Sequence, residues 1–137
     1  MQFVDANVLL YAASTEPSEQ PKALVARELL GRDDLALSVQ VLQEFYVQAT
    51  RATKPERLSH EQASLLVEAF LRFPTQETTV ALMKAGLATR ERFQISYWDA
   101  TVIEAARALG CDVVLSEDLN DGQDYHGVRV VNPFRGL

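Results

Sequence analysis

The sequence predicts an α/β fold built on a parallel sheet that helices cover on both faces. Three observations predict it. Short apolar runs at Phe3-Val4, Leu35-Ala36-Leu37 and Val113-Val114-Leu115 lack polar alternation, the mark of strands buried on both sides. Longer stretches with helical spacing and helix punctuation lie between them. With 137 residues, 47% of them apolar, the chain suits one domain, residues 1–137, around a packed core.

The elements follow in order. Phe3-Val4 is a strand that stops at Asp5, and a helical stretch runs on through Tyr11 and Ala13. Ser14 to Gln20 is a polar loop. Pro21 suits the first turn of a helix, and Gly31 stops it after Leu29 and Leu30. After the strand at Leu35, Ser38 caps a helix that runs toward Thr53 and is broken by Pro55. Ser59 and Gln62 form a capping box for a helix with Ala63, Leu66, Val67 and Phe70 on one face. A strand is expected around Glu77 to Thr79, then helices from Val80 to Arg92 and from Ser96 to Leu109-Gly110. Val113 to Leu115 and Val128 to Val131 are the closing strands.

Such sheets bind ligands beyond the carboxyl ends of their strands. Asp5 follows Phe3-Val4 directly and Asp118 follows Val113-Val114-Leu115 by two residues, so both acids belong on that edge. Asp5 lies in an apolar run where an unpaired carboxylate is costly to desolvate, although capping the following helix explains it equally well. Asp99 heads a helical face continued by Val102, Ile103 and Ala106, and also completes a Ser96-x-x-Asp99 capping box. Glu44 stands in the apolar helix Val39 to Val47, where an ordinary boundary glutamate is the plainer reading. Asp118 stands in an Asx-rich turn, Ser116 to Gly122. Glu117, Asp121 and Asp124 read as solvated turn residues, with Asp121 a possible aid to Asp118.

Together the four acids say more than each alone. Asp5, Glu44, Asp99 and Asp118 would repel one another unless a cation neutralised them, and hard ions such as Mg²⁺ or Mn²⁺ take oxygen ligands. Other machinery is scarce. The two histidines, His60 at a helix start and His126 in a turn, supply no zinc or histidine acid–base scheme, and no phosphate-binding glycine loop occurs. Cys111, the only cysteine, excludes an internal disulfide and reads as a core residue. The start of the chain lacks a basic leader, and no stretch reaches the roughly 20 apolar residues of a membrane span, so a cytoplasmic location without membrane contact is expected. The net charge of −6 opposes nucleic-acid binding, but four neutralised carboxylates would bring it to about −2.

Four motifs carry a resemblance. Asp5-Ala6-Asn7-Val8-Leu9-Leu10-Tyr11, then Ser38 and Val41 with Glu44-Phe45, then Ser96-Tyr97-Trp98-Asp99-Ala100, then Leu115-Ser116-Glu117-Asp118-Leu119 occur in order, followed by Gly127 to Phe134. This pattern resembles PIN-domain ribonucleases, in particular the VapC-like toxins of toxin–antitoxin pairs, over essentially the whole chain. The resemblance implies an α/β/α sandwich with about five parallel strands and endonucleolytic cleavage of RNA by metal-activated water. It carries over Asp5, Glu44, Asp99 and Asp118 as the metal site for Mg²⁺ or Mn²⁺, with Asn7 and Ser116 holding the carboxylates.

Arg51, Lys54, Arg57, Arg90 and Arg92 are candidate RNA contacts, against a reading as ordinary surface charges. A homodimer and a cognate antitoxin are the expected partners. An antitoxin arginine inserted among Asp5, Asp99 and Asp118 would inhibit, with exposed residues of the Leu42 to Val47 helix and of the Val8 to Tyr11 segment walling a groove for its apolar side chains. Two other readings compete. One is a PIN-like module that binds RNA or protein without cutting. The other is a phosphatase or receiver-like domain with Asp5 as nucleophile, which lacks the second aspartate two residues on.

Overall fold

The computed structural model describes residues 1–137. Strands β1 (Gln2–Val4), β2 (Leu35–Ser38), β3 (Thr75–Gln76), β4 (Val113–Leu115) and β5 (Arg129–Val131) pair in parallel, in the order β3-β2-β1-β4-β5. Helices α1 (Ala6–Ala13), α2 (Gln20–Leu30), α3 (Val39–Ala49) and α4 (His60–Phe70) connect β1 through β2 to β3. Helices α5 (Val80–Phe93) and α6 (Tyr97–Ala108) carry the chain from β3 back past β1 to β4. Right-handed crossovers running outward in opposite directions put α1 to α4 on one face and α5 with α6 on the other. A core of 29 buried residues fills the layers, including Phe3, Leu35, Phe45, Ile103 and Val114. No helix is long and apolar enough to cross a membrane.

The three-layer parallel fold is as expected, and several local expectations need correction. The strand expected at Glu77–Thr79 lies earlier, at Thr75–Gln76, because the Thr79 hydroxyl accepts from Leu82 N at 3.0 Å and commits its segment to capping α5. Helix α3 ends at Ala49 rather than near Thr53. Thr50 Oγ1 donates to the Tyr46 carbonyl at 2.8 Å, and Leu58 N turns back to the Ala49 carbonyl at 2.9 Å. Pro55 further disfavours helical geometry at Lys54. The Ser14–Gln20 loop contains a 3₁₀ turn, Pro17–Glu19, and Gln20 already belongs to α2. The capping box of Ser59 and Gln62 is present, and Gly31 closes α2.

The sheet order has a functional consequence. The chain leaves β1 toward one side of the sheet and later reaches β4 on the other, so β1 and β4 flank the switch point where a crevice opens at their carboxyl ends. Asp5 follows β1 there, and Ser116 to Asp118 follow β4.

Candidate metal centre

Asp5 caps α1 through Oδ1, which accepts from Ala6 N at 2.8 Å. Its other oxygen, Oδ2, accepts from Ser116 Oγ at 2.7 Å. Capping and a place in the crevice are therefore not alternatives: one carboxylate oxygen does each. Asn7, the second residue of α1, ties the two strand ends together. Its Nδ2 donates to Ser116 Oγ at 3.1 Å and Asp118 Oδ2 at 3.2 Å, and its Oδ1 accepts from Glu117 N at 3.2 Å. Ser116 Oγ also accepts from Asp118 N at 3.1 Å. Asn7 and Ser116 are buried, and each donates a hydrogen bond to one of the carboxylates.

Two helices supply the remaining acids. Ser38 caps α3 by accepting from Val41 N at 3.2 Å, which orients a face bearing Gln40, Glu44 and Gln48 at helical spacing. Gln40 Nε2 donates to Glu44 Oε1 at 3.0 Å. Ser96 caps α6 by accepting from Asp99 N at 3.0 Å, and Asp99 heads the face that buries Val102, Ile103 and Ala106. All four acids line one cavity of about 310 Å³. Ala6, Asn7, Leu10, Gln48, Trp98 and Val102 complete its wall, and no lysine or arginine lines it.

The electrostatics show an uncompensated cluster. Burial pushes the Asp5 carboxyl up to about 6; the Ser116 hydroxyl and Ala6 amide oppose this, while the charges of Glu44 and Asp118 add to it. Burial also raises Asp99, eased by Ser96, and the Asp118 charge raises it further. The ion pairs of the molecule, Lys22–Glu117, Arg32–Asp34, Arg107–Glu104 and Arg135–Asp121, include none of the four.

The donor set fits a hard divalent cation. It offers carboxylate oxygens backed by amides and a hydroxyl, in a cavity without a cation of its own. No three acidic, histidine or cysteine side chains stand ready to coordinate one ion directly. That arrangement suits an ion held by one or two carboxylates that keeps several of its waters, as Mg²⁺ does.

Other expected residues fall elsewhere. Arg51, Lys54, Arg57, Arg90 and Arg92 do not line the cavity. Arg90 and Arg92 occupy the last turn of α5, where their charge complements the helix dipole. Glu117 is not a solvated turn residue: Lys22 Nζ and Tyr11 Oη each donate to it at 2.5 Å. Burial raises its carboxyl, but those two partners outweigh burial and hold it below its usual range. Asp121 accepts from Asn132 N at 2.8 Å and pairs with Arg135, so it fastens the C-terminal segment instead of assisting Asp118. In the Val8–Tyr11 segment, Val8 and Leu9 are fully buried, which leaves Leu10 and Tyr11 as its accessible residues, and Leu10 lines the acid cavity. Gln48 and Trp98 were not singled out from the sequence, although Gln48 follows Glu44 by one turn and Trp98 adjoins Asp99.

A parallel sheet with an acidic crevice at its switch point defines a class, and the chain belongs to the PIN domain family: residues 3–120 match the family model. Among solved structures, it resembles VapC20 of Mycobacterium tuberculosis, described as a Sarcin-Ricin loop cleaving toxin, with TM-score 0.69 and 19% identity over 86% of this chain and 92% of that one. It also resembles a toxin–antitoxin complex from Klebsiella pneumoniae, with TM-score 0.69 and 18% identity over 97% and 98% of the two chains. VapBC2 from Rickettsia felis, bound to a DNA fragment from their promoter, matches with TM-score 0.63 and 15% identity over 94% and 96%. At these identities the likeness establishes a shared fold. No curated protein matches the chain.

Proposed function

We propose that this protein is a Mg²⁺- or Mn²⁺-dependent endoribonuclease, the toxin of a toxin–antitoxin pair, acting in the cytoplasm. One observation carries the reading: four carboxylates from four different segments face one cavity with no cationic side chain in its wall. Asp5 and Asp99 would hold the ion, with Asp118 and Glu44 holding a second ion or orienting water. A divalent cation bound there supplies a more acidic water and offsets charge on the attacked phosphate. Asn7 and Ser116 keep Asp5 and Asp118 in register. Leu10 and Val102 bring apolar surface to the same cavity.

The partners belong to the same proposal. An antitoxin arginine fits among Asp5, Asp99 and Asp118, where its guanidinium would satisfy carboxylates and take the place of the ion. The antitoxin's apolar side chains have a groove of about 610 Å³ between α3 and α4, lined by Leu42, Tyr46, Val47, Val67 and Leu71. A homodimer is proposed as well; Val80, Met83 and Leu87 form an exposed apolar row on α5 that a second copy would cover.

The absence of a ready three-carboxylate cage favours one competing reading, a module that binds RNA or protein without cutting. A single assay decides between them. Purified protein should cleave RNA with Mn²⁺, lose that activity in EDTA, and lose it in Asp5→Asn with the fold retained. Activity that survives both EDTA and Asp5→Asn contradicts the reading, and a wild type that never cleaves RNA favours the binding module.

A further inference from the structure

Among the Phe, Tyr and Trp side chains, Trp98 alone stands exposed, at 62%. An indole is ordinarily well buried, because few side chains have more apolar surface to remove from water. Here the backbone beneath it is anchored while the ring is held out. The Trp98 carbonyl accepts from Thr101 Oγ1 at 2.7 Å and from Gln40 Nε2 at 3.4 Å, and the Tyr97 ring meets the indole edge-on at 5.0 Å. The indole lines the acid cavity and also an adjoining recess of about 270 Å³, whose other walls are Gln40, Gln43 and Glu44.

The composition of this recess selects its occupant. An aliphatic segment would cover the indole but desolvate two amides and a carboxylate without replacing their hydrogen bonds. A flat ring with polar edges matches both kinds of wall. Charge points the same way. With no lysine or arginine in the cavity wall and a net charge of −6, a polyanion gains little there from phosphate contacts. Stacking is indifferent to that charge.

We propose that Trp98 is a base-stacking platform that receives an unpaired nucleobase beside the phosphate entering the acid cavity, with the Gln43 amide at the base's edge. The inference rests on the nuclease reading and sharpens it. A base can lie on the indole only when it is out of a duplex, so the substrate class is single-stranded or looped RNA.

The chain contains one tryptophan, so its fluorescence reports on this residue alone. The test titrates a single-stranded RNA dodecamer, a version carrying an abasic site, and the matching duplex into full-length protein in EDTA. The single strand should quench Trp98 and the duplex should not. Trp98→Ala should weaken single-strand binding about tenfold or more, and Trp98→Phe by less, since one stacked base typically supplies that much affinity. Placing the abasic site opposite Trp98 should remove the same factor from wild type and none from Trp98→Ala. In Mn²⁺, Trp98→Ala should raise KM more than it lowers kcat.

Equal binding by wild type, Trp98→Ala and Trp98→Phe overturns the inference, as does quenching by duplex as strong as by single strand. If wild type still cleaves RNA in either case, the nuclease reading stands and only the platform falls. A wild type that neither binds nor cleaves RNA overturns both.

Discussion

On the strand side of the cavity, Asp5 and Asp118 are fixed by a closed network in which Asn7 and Ser116 each contact both segments. On the helix side, Glu44 has one side-chain partner, Gln40, and Asp99 sits at the half-buried head of α6. The strand side, with Asp5 buried and Asp118 exposed, is assembled by hydrogen bonds before anything binds; the helix side, half-buried, has fewer such bonds and is the more adjustable. The cavity therefore has a rigid anchor and a pair of carboxylates free to close on it, which accounts for four acids sharing one cavity with no ready three-ligand cage. A network of this kind holds an anchor within the tolerance that metal chemistry needs.

The sharpest way to break this contrast is Asp5→Asn. Cleavage in Mn²⁺ should fall on the order of a thousandfold, as expected when a ligand of the catalytic ion is lost. Stability should move the other way in EDTA. The folded Asp5 binds its proton more tightly than the usual 3.8, at about 6, so the native state carries more protons than the unfolded chain between those values. Stability contributed at Asp5 is thus greatest at low pH, falls as pH rises through that window, and stays low above it. At pH 7 the burden is at most roughly 3 kcal/mol, and Asp5→Asn should lift much of it. Melting curves at pH 4 and pH 7 check this: wild type should lose more stability than Asp5→Asn between the two.

Smaller effects separate the two sides further. Ser116→Ala removes a hydroxyl that serves both Asp5 and Asp118, and should lower cleavage or Mn²⁺ affinity about 10- to 100-fold, measured by single-turnover assay and metal titration. Glu44→Gln, on the adjustable side, should cost about tenfold or less in the same measurements. A loss equal to that of Asp5→Asn would remove the contrast.

The smallest effect on chemistry concerns the seam that carries Asp99. A Cβ added to Gly86 of α5 would come within 2.7 Å of Thr101 Cγ2 on α6. Gly86→Ala should therefore destabilise by about 1–2 kcal/mol and lower the melting temperature by a few degrees, while cleavage at low temperature stays close to wild type.

The rigid side was the legible one. Asp5 after an apolar run, and Ser116 with Asp118 after another, mark strand ends whose neighbourhood follows from the parallel fold alone. The helix side was harder to read. Glu44 differs from an ordinary boundary glutamate only through what α3 faces, which depends on packing between elements distant in sequence. Strand β3 has two residues and almost no apolar signature, so pairing with Leu37 and Ser38 defines it more than composition does. Glu117 looked like one more turn acid because its partners, Lys22 and Tyr11, lie about a hundred residues away. Arg51, Lys54 and Arg57, clustered in sequence around Pro55, lie outside the cavity, so any contact they make with RNA would be away from the acids.

The most direct test of the account is a Mn²⁺ titration at pH 7, followed by electron paramagnetic resonance of the free ion, on wild type, Asp5→Asn and Glu44→Gln. The account predicts saturable binding by wild type, loss of that binding in Asp5→Asn, and a modest weakening in Glu44→Gln. A wild type that takes up no Mn²⁺ at millimolar concentration, or an Asp5→Asn variant that binds it as tightly as wild type, would contradict the claim that these carboxylates form one metal centre.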